Sequence, residues 1–478
     1  MKKSGCIFLY VFFIAFVFQA CEDLDDNPVP AALKVNDFVW KGLNLYYLWQ
    51  AEEENLADNR FATQADLNIF LEGYPSAEGL FEDLLVARSK DRFSVIFNDY
   101  RVLEGLLQGT TKNNGMDYGL RYKAGSTTEI YGWVRYVLPN SDAENKNIVR
   151  GMLFHAINGT PLNTDNYRSL LGLDSYTIHL ANYEDGTIVP NGQFVELTKS
   201  NLTENPVYLS NIAEIGNKKI GYLLYNGFYP NFENQLNQVF GDFKAQGITH
   251  LVLDLRYNSG GSVDTATRLA SMITGQFYNQ VFSKQQWNEK AANYFNDTNP
   301  EVLLNRFTNV IGNGNAIESL TLSKIYILTS GSTASASELI INGLKPYMQV
   351  VQIGTTTVGK NVGSITLYDS PTFGKNNKSG AHRYAMQPIV LRITDKNGEG
   401  DYVNGIEPLV EQAENLANLG ELGNETEPLF NTAIQYILEN GRVGERFKEN
   451  NQLNFKDRKS LAVFGSEMYL EKAPFVFQ

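Results

Sequence analysis

The chain has 478 residues and a formal net charge of -13: length for two or three domains, and enough negative charge to repel nucleic acid phosphates, so no nucleic acid partner is expected. Its two cysteines, Cys6 and Cys21, both stand near the N-terminus, which leaves the body without a disulfide, a thiolate nucleophile or a cysteine metal site. Four scattered histidines, none in a ligand-spaced cluster, argue against a zinc site.

Lys2 and Lys3 precede an apolar stretch from Ile7 to Phe18, which has the length of a signal-peptide core and is short for a membrane span. Residues 1–20 therefore read as a leader. Phe18-Gln19-Ala20-Cys21 resembles a bacterial lipobox, which implies cleavage before Cys21 and lipidation of its sulfur; the plainer alternative is an ordinary leader that happens to carry a cysteine. Residues 21–34 read as an acidic tether, with Glu22, Asp23, Asp25 and Asp26 unable to build a core. Acidic residues placed just after a lipidated cysteine resemble the export signal of Bacteroidetes lipoproteins. That resemblance implies a lipid-anchored protein of the outer membrane, on its periplasmic or cell-surface side, held to the membrane by lipid alone. A merely solvated linker fits the same composition.

Residues 35–110 predict helices. Phe38, Trp40, Leu43, Tyr47 and Leu48 share one face, with Asn36 or Asp37 as a cap, and Pro75-Ser76 opens another helix through Leu80, Phe81, Leu84 and Leu85. The aromatic density between Trp40 and Trp49 has the spacing of a buried helix face. Over 115–198 the pattern changes to short strands and turns, with Tyr118-Gly119-Leu120-Arg121-Tyr122 and Trp133 to Val137 as strands and Pro139-Asn140-Ser141 and Asn158-Gly159 as turns. Leu138-Pro139-Asn140-Ser141-Asp142-Ala143 and Ala156-Ile157-Asn158-Gly159-Thr160 resemble segments of PDZ domains, although Gly151-Met152-Leu153 departs from the usual Gly-Asp-x. The resemblance implies capture of a peptide with a free C-terminus as an added strand, its carboxylate held by a loop near Tyr118, Gly119 and Leu120.

Residues 205–440 alternate apolar runs with amphipathic stripes, an α/β pattern. The runs are Ile220 to Leu224, Leu251 to Leu255, Ile325 to Leu328 and Pro388 to Leu391. One stripe is Phe232, Leu236, Val239, Phe240 and Phe243, closed by Gly247, and another is Val263, Ala266, Leu269, Ala270 and Ile273. The C-terminal extension, 441–478, carries no assignment.

Three segments of this region carry chemistry. Thr329 to Glu338 follows a buried strand and opens a helix, so Ser335 projects from a corner whose next backbone N–H is free for an anion; a Ser/Ala-rich helix cap is the plainer reading. Gly359-Lys360 follows the strand Val350 to Ile353, without the full pattern of a phosphate loop. Asp254-Leu255-Arg256-Tyr257-Asn258-Ser259-Gly260-Gly261 ends a strand in two glycines whose N–H groups can face a ligand, or it is a simple strand-to-helix turn. The Asp-Leu-Arg-x-Asn-x-Gly-Gly segment, Ala334-Ser335-Ala336-Ser337-Glu338, Gly359-Lys360 and Gly405-Ile406-Glu407-Pro408, in this order, resemble the C-terminal processing peptidases, or tail-specific proteases.

This resemblance implies a multidomain α+β fold: a helical N-terminal region, a PDZ-like β-rich module and a Clp protease/crotonase-like α/β catalytic domain. It implies Ser335 as nucleophile and Lys360 as base, with an oxyanion hole from Ala336 and either Gly260 or Gly261. Many relatives place a glutamine four residues after the lysine; Ser364 stands there and is expected to orient Lys360 in its place. A free lysine, with a pKa near 10.4, is almost wholly protonated at neutral pH, so burial must favour its neutral form for it to act as a base. No metal or organic cofactor is needed, and the expected partners are proteins or peptides with a free C-terminus. Two rival readings stand beside this one. The first is a non-catalytic peptide-binding lipoprotein; the second is a glycan-binding lipoprotein, which requires Trp40 and Trp287 on an exposed stacking platform.

Overall fold

The structure, a computed structural model, describes residues 29–439, 441, 454–462, 464–472 and 474. Cys21, the leader and most of the tether lie outside these residues. It is a mixed α+β arrangement of a helical N-terminal region and several sheets.

The N-terminal helices bury one apolar face each. Lys34–Tyr46 buries Phe38, Val39, Leu43 and Tyr46. It begins earlier than expected, so Asn36 and Asp37 lie within it instead of capping it, and Asp37 pairs with Lys41 one turn on at 2.9 Å. Ser76 caps Ala77–Asp83 by accepting from the Gly79 N–H at 3.1 Å. Trp287 is only 6% exposed, and Trp40 is half-buried with its Nε1–H donated to the Asn55 carbonyl at 2.7 Å. Neither offers the exposed ring that glycan stacking needs. The region also holds a strand, Val95–Phe97, which pairs with Ala385–Gln387 and ties the helices to the downstream domain.

Next comes a β-rich module in which Met116–Tyr122, Ile130–Val137, Leu153–Ile157, Ser175–Glu184 and Thr187–Thr198 pair antiparallel in sequence order. Side-chain alternation divides its residues between two cores. Met116, Tyr118, Leu120, Val134, Phe154 and Ile178 pack inside the module. Tyr131, Trp133, Tyr136 and Leu153 pack outward against Tyr257 of the following domain. Tyr118, Gly119 and Leu120 lie mid-strand, which corrects the expectation of a carboxylate-holding loop there. Gly119 is required by packing, since a Cβ at this position would stand 2.5 Å from the Trp133 Nε1. The outer edge of Met116–Tyr122 is also covered: Asn454–Asp457 from the C-terminal extension adds to it antiparallel.

The third region contains two six-stranded sheets. The first has the order Val207–Ile215, Lys218–Tyr225, His250–Asp254, Lys324–Thr329, Gln349–Gly354, Val410–Glu411, parallel after its first pair. Its strands read as continuous apolar runs because both faces are covered: Leu223, Leu253 and Ile327 enter one core, and Tyr222, Leu224, Val252 and Leu328 another. Helices Glu233–Gln246, closed by Gly247 at φ 65°, and Ala336–Leu344 are crossovers between parallel strands. The second sheet has the order Gly260–Ser262, Glu467–Tyr469, Val362–Ser364, Ile389–Asp395, Val281–Trp287, Leu304–Arg306. Its first three strands have three residues each.

Candidate active site

Ser335 stands where the strand Lys324–Thr329 has ended and the helix Ala336–Leu344 begins, at φ 66° and ψ -116°. A serine rarely adopts this left-handed region unless its surroundings enforce it. Here the turn is tied to the neighbouring strand end: Thr333 Oγ1 donates to the Leu255 carbonyl at 2.8 Å, and the Ala334 N–H and Ser337 Oγ both donate to the Asn258 carbonyl at 3.1 Å. Ala334 and Ala336 flank the serine with minimal bulk. Ser335 Oγ is buried and has no hydrogen-bond partner among the described residues, a costly state for a hydroxyl that does nothing.

The same turn is joined to the lysine loop through one carboxylate. Glu338, fully buried on the first turn of the helix, accepts at Oε2 from the Ser335 N–H (2.7 Å) and the Lys360 N–H (2.9 Å). Its Oε1 accepts from the Gly359 N–H at 2.7 Å and from the Thr357 hydroxyl. Burial pushes this carboxyl above the usual range, against the pull of those four bonds. Main-chain nitrogens of the candidate nucleophile and the candidate base thus meet on one oxygen atom. Sequence reasoning quoted Glu338 only as part of a motif. Ser335-x-x-Glu338 is the spacing of a capping box, the one signal that pointed to it.

Lys360 is 1% exposed. Its Nζ lies 4.4 Å from the centre of the Phe93 ring and donates to the Ser466 carbonyl. The Arg92 guanidinium donates to the Gly359 carbonyl at 2.6 Å and fixes the loop from the other side. Ser364 is close in chain but engaged elsewhere: its hydroxyl donates to the Met468 carbonyl at 3.1 Å and accepts from the Gln387 amide at 3.0 Å. The Ser364 hydroxyl expected to orient Lys360 is thus bonded to Met468 and Gln387. Gln387, fully buried on another strand, was not singled out by sequence because it is distant in the chain.

Gly260 and Gly261 adopt φ 112° and 142°, backbone open to glycine alone. A Cβ on Gly261 would stand 2.4 Å from the Phe228 carbonyl oxygen. The Gly260 N–H is committed to Asn258 Oδ1 at 2.9 Å. Ala336 is the first residue of its helix, a position whose N–H has no intrahelical acceptor.

The first half of the same segment is an anchor. Arg256 is fully buried and bonds Glu427 through both terminal nitrogens (2.7 and 3.0 Å), with Asp254 at 2.8 Å and Glu414 at 3.3 Å. Glu414 also meets Arg150 of the β-rich module at 2.8 Å. Burial alone would raise the Glu414 carboxyl, but the Arg150 and Arg256 guanidiniums hold it down at about 2. Among the described residues no group of three or more His, Cys, Asp or Glu side chains is set to hold a metal ion.

The fold thus brings together a strained serine at a helix start, a buried lysine on the loop joined to it through Glu338, and a glycine pair just after the strand end that ties down the serine turn. The chain matches Peptidase family S41 over residues 219–390 and the Peptidase S41 N-terminal domain over 34–95, so it carries domains of that peptidase family. It is 24% identical over 168 residues to a carboxyl-terminal-processing protease of Picosynechococcus, an alignment covering 35% of each chain. To a chloroplastic C-terminal processing peptidase of Tetradesmus obliquus it is 24% identical over 292 residues, 58% of each. These alignments span less than two-thirds of the curated relatives' own length. A crystal structure of an S41 protease from Bacteroides fragilis superposes with a TM-score of 0.64 at 25% identity, over 85% of this chain and 98% of that one. The photosystem II D1 C-terminal processing protease shares the fold, with a TM-score of 0.50 at 18% identity over 82% and 95% of the two chains.

Proposed function

We propose that this chain is a serine endopeptidase that cleaves protein or peptide substrates near a free C-terminus, with Ser335 as nucleophile and Lys360 as general base. The observation that carries the reading is the Glu338 carboxylate, which holds the backbones of both residues beside an unpartnered, buried Ser335 hydroxyl. A lysine works as a base only in its neutral form, which a dry setting favours. Neutral Lys360 takes the Ser335 proton as Oγ attacks the scissile carbonyl, and the oxyanion meets the N–H of Ala336 with that of Gly260 or Gly261. Collapse of the adduct expels the new amine, which takes the proton back from Lys360, and water then resolves the acyl-enzyme.

Preference for a free C-terminus is supported by the relatives named as C-terminal processing enzymes. Lipid attachment at Cys21 in the outer membrane belongs to the same reading. No described helix is long and apolar enough to cross the membrane. Metabolic labelling with a fatty acid, lost in Cys21→Ser, tests that part.

The central test compares wild type with Ser335→Ala on an unfolded protein whose C-terminus is either free or extended by a folded domain. Cleavage by wild type alone, faster on the free terminus, is expected. Equal cleavage by both variants removes Ser335 from the chemistry. Equal rates on both substrates remove the terminal preference and leave the peptidase.

A further inference from the structure

The C-terminal extension follows an unusual path. Asn454–Asp457 lies antiparallel on Met116–Tyr122, with Asn454 opposite Arg121 and Asp457 opposite Gly119. Phe455 packs there against the rings of Tyr122 and Tyr167. Asp457 is bonded to Arg135 at 3.1 Å and to the hydroxyl of Ser332 in the nucleophile turn. A short helix, Arg458–Leu461, turns the chain toward the catalytic groups, and Lys459 donates to the Asn226 and Tyr257 carbonyls at 2.7 and 3.0 Å.

Glu467–Tyr469 then enters the second sheet between Gly260–Ser262 and Val362–Ser364, parallel to both. These neighbours are the glycine segment and the strand that begins just after Lys360. The Ser466 carbonyl accepts from Lys360 Nζ, the Met468 carbonyl from Ser364 Oγ, and the Leu470 N–H donates to the Ser364 carbonyl at 3.1 Å. Without the tail, two facing strand edges would stand open, three residues each, with the candidate base at their mouth. Such a slot fits one kind of ligand: an extended peptide whose main chain satisfies both edges.

We infer that residues 454–462 and 464–472 are an intramolecular peptide ligand that fills both the outer edge of the β-rich module and the slot between the glycine and lysine strands, so that an incoming substrate must displace the chain's own tail. The inference rests on the peptidase reading of the site. A tethered ligand acts at about millimolar effective concentration, so a free peptide of modest affinity competes poorly until the tail is loosened. One tail touches both places, so a peptide terminus that takes the module's edge loosens the strand in the slot. Release at the first site thereby opens the second.

The test uses the full chain and its Met468→Asp variant, which places a charge at a fully buried position of the tail strand. A fluorescent synthetic peptide of residues 454–472 is titrated against each in a Ser335→Ala background, and cleavage of a peptide with a free C-terminus is followed with Ser335 intact. Met468→Asp is expected to tighten peptide binding about tenfold and to raise kcat/KM by a similar factor. A folded Met468→Asp chain with no gain in binding overturns the inference. A gain in binding without cleavage by either chain upholds the tail as an occupant and removes the peptidase reading instead. If Met468→Asp unfolds, hydrogen exchange on the unaltered chain decides. Excess peptide should speed exchange at the amides of 467–470 and not in the first sheet, and unchanged protection there overturns the inference.

Discussion

The two six-stranded sheets of the third region are built on opposite principles. In the first, most neighbours are parallel strands buried on both faces, and helices such as Glu233–Gln246 and Ala336–Leu344 return the chain to the next strand. In the second, three short strands from distant parts of the chain are laid side by side, and two of them bear glycines and belong to the proposed site. The first sheet is held by apolar burial, which is insensitive to detail. The second depends on individual hydrogen bonds and on backbone shapes that few residues adopt. Stability thus concentrates in one sheet and chemistry in the other, and substitutions should separate the two.

The largest expected effect lies at the chemical sheet. Lys360→Ala should reduce turnover by about a thousandfold or more while circular dichroism and the thermal midpoint show a folded chain; near-normal turnover would break the comparison. Arg256→Met strikes the first sheet in the opposite sense. It strips the counter-charge from Asp254, Glu427 and Glu414 in a buried setting, and urea unfolding should show a loss of about 3–5 kcal/mol. A loss below about 1 kcal/mol would mean that the network is not an anchor.

Glu338→Gln tests the junction between them. An amide cannot offer acceptors to all four donors, so kcat should fall about ten- to a hundredfold with KM nearly held. A change confined to stability would reduce Glu338 to a helix cap. The smallest effect is one of pH. Glu414 and Asp457 are both held at about 2, burial being outweighed by Arg150 and Arg256 for the first and by Arg135 with Ser332 and Ser460 for the second. Such lowered carboxylates stabilise the folded form above about pH 4, and that contribution drains away as pH falls toward about 2, roughly 2 kcal/mol per group. Thermal midpoints of wild type and Asp457→Asn should therefore differ at pH 6 and converge near pH 2; a constant gap would contradict the pairing.

The same contrast explains what the sequence disclosed. Leu251 to Leu253 and Ile325 to Leu328 are apolar without interruption because both their faces are covered, so the first sheet could be read directly. Ser335 and Lys360 were singled out by the resemblance of their ordered motifs to a peptidase family, since a small-residue corner or a glycine-lysine pair says little by itself. Gln387 was hidden, since its partnership with Ser364 exists only through strand pairing. Glu467-Met468-Tyr469 is too short to carry any periodicity, and nothing local marks it as the strand between two catalytic segments. Tyr118-Gly119-Leu120 misled in an instructive way: a glycine suited to a loop was there to make room for the Trp133 ring.

Glu338 has a mechanical consequence. Because Ser335 N and Lys360 N hang from one oxygen atom of one side chain, the two loops share a pivot fixed to the helix Ala336–Leu344. A small slide or tilt of that helix carries both loops together, and the spacing between the reacting side chains changes far less than the helix itself moves. The helix can then yield to whatever strand enters or leaves the neighbouring slot, while the alignment of serine and lysine travels with it.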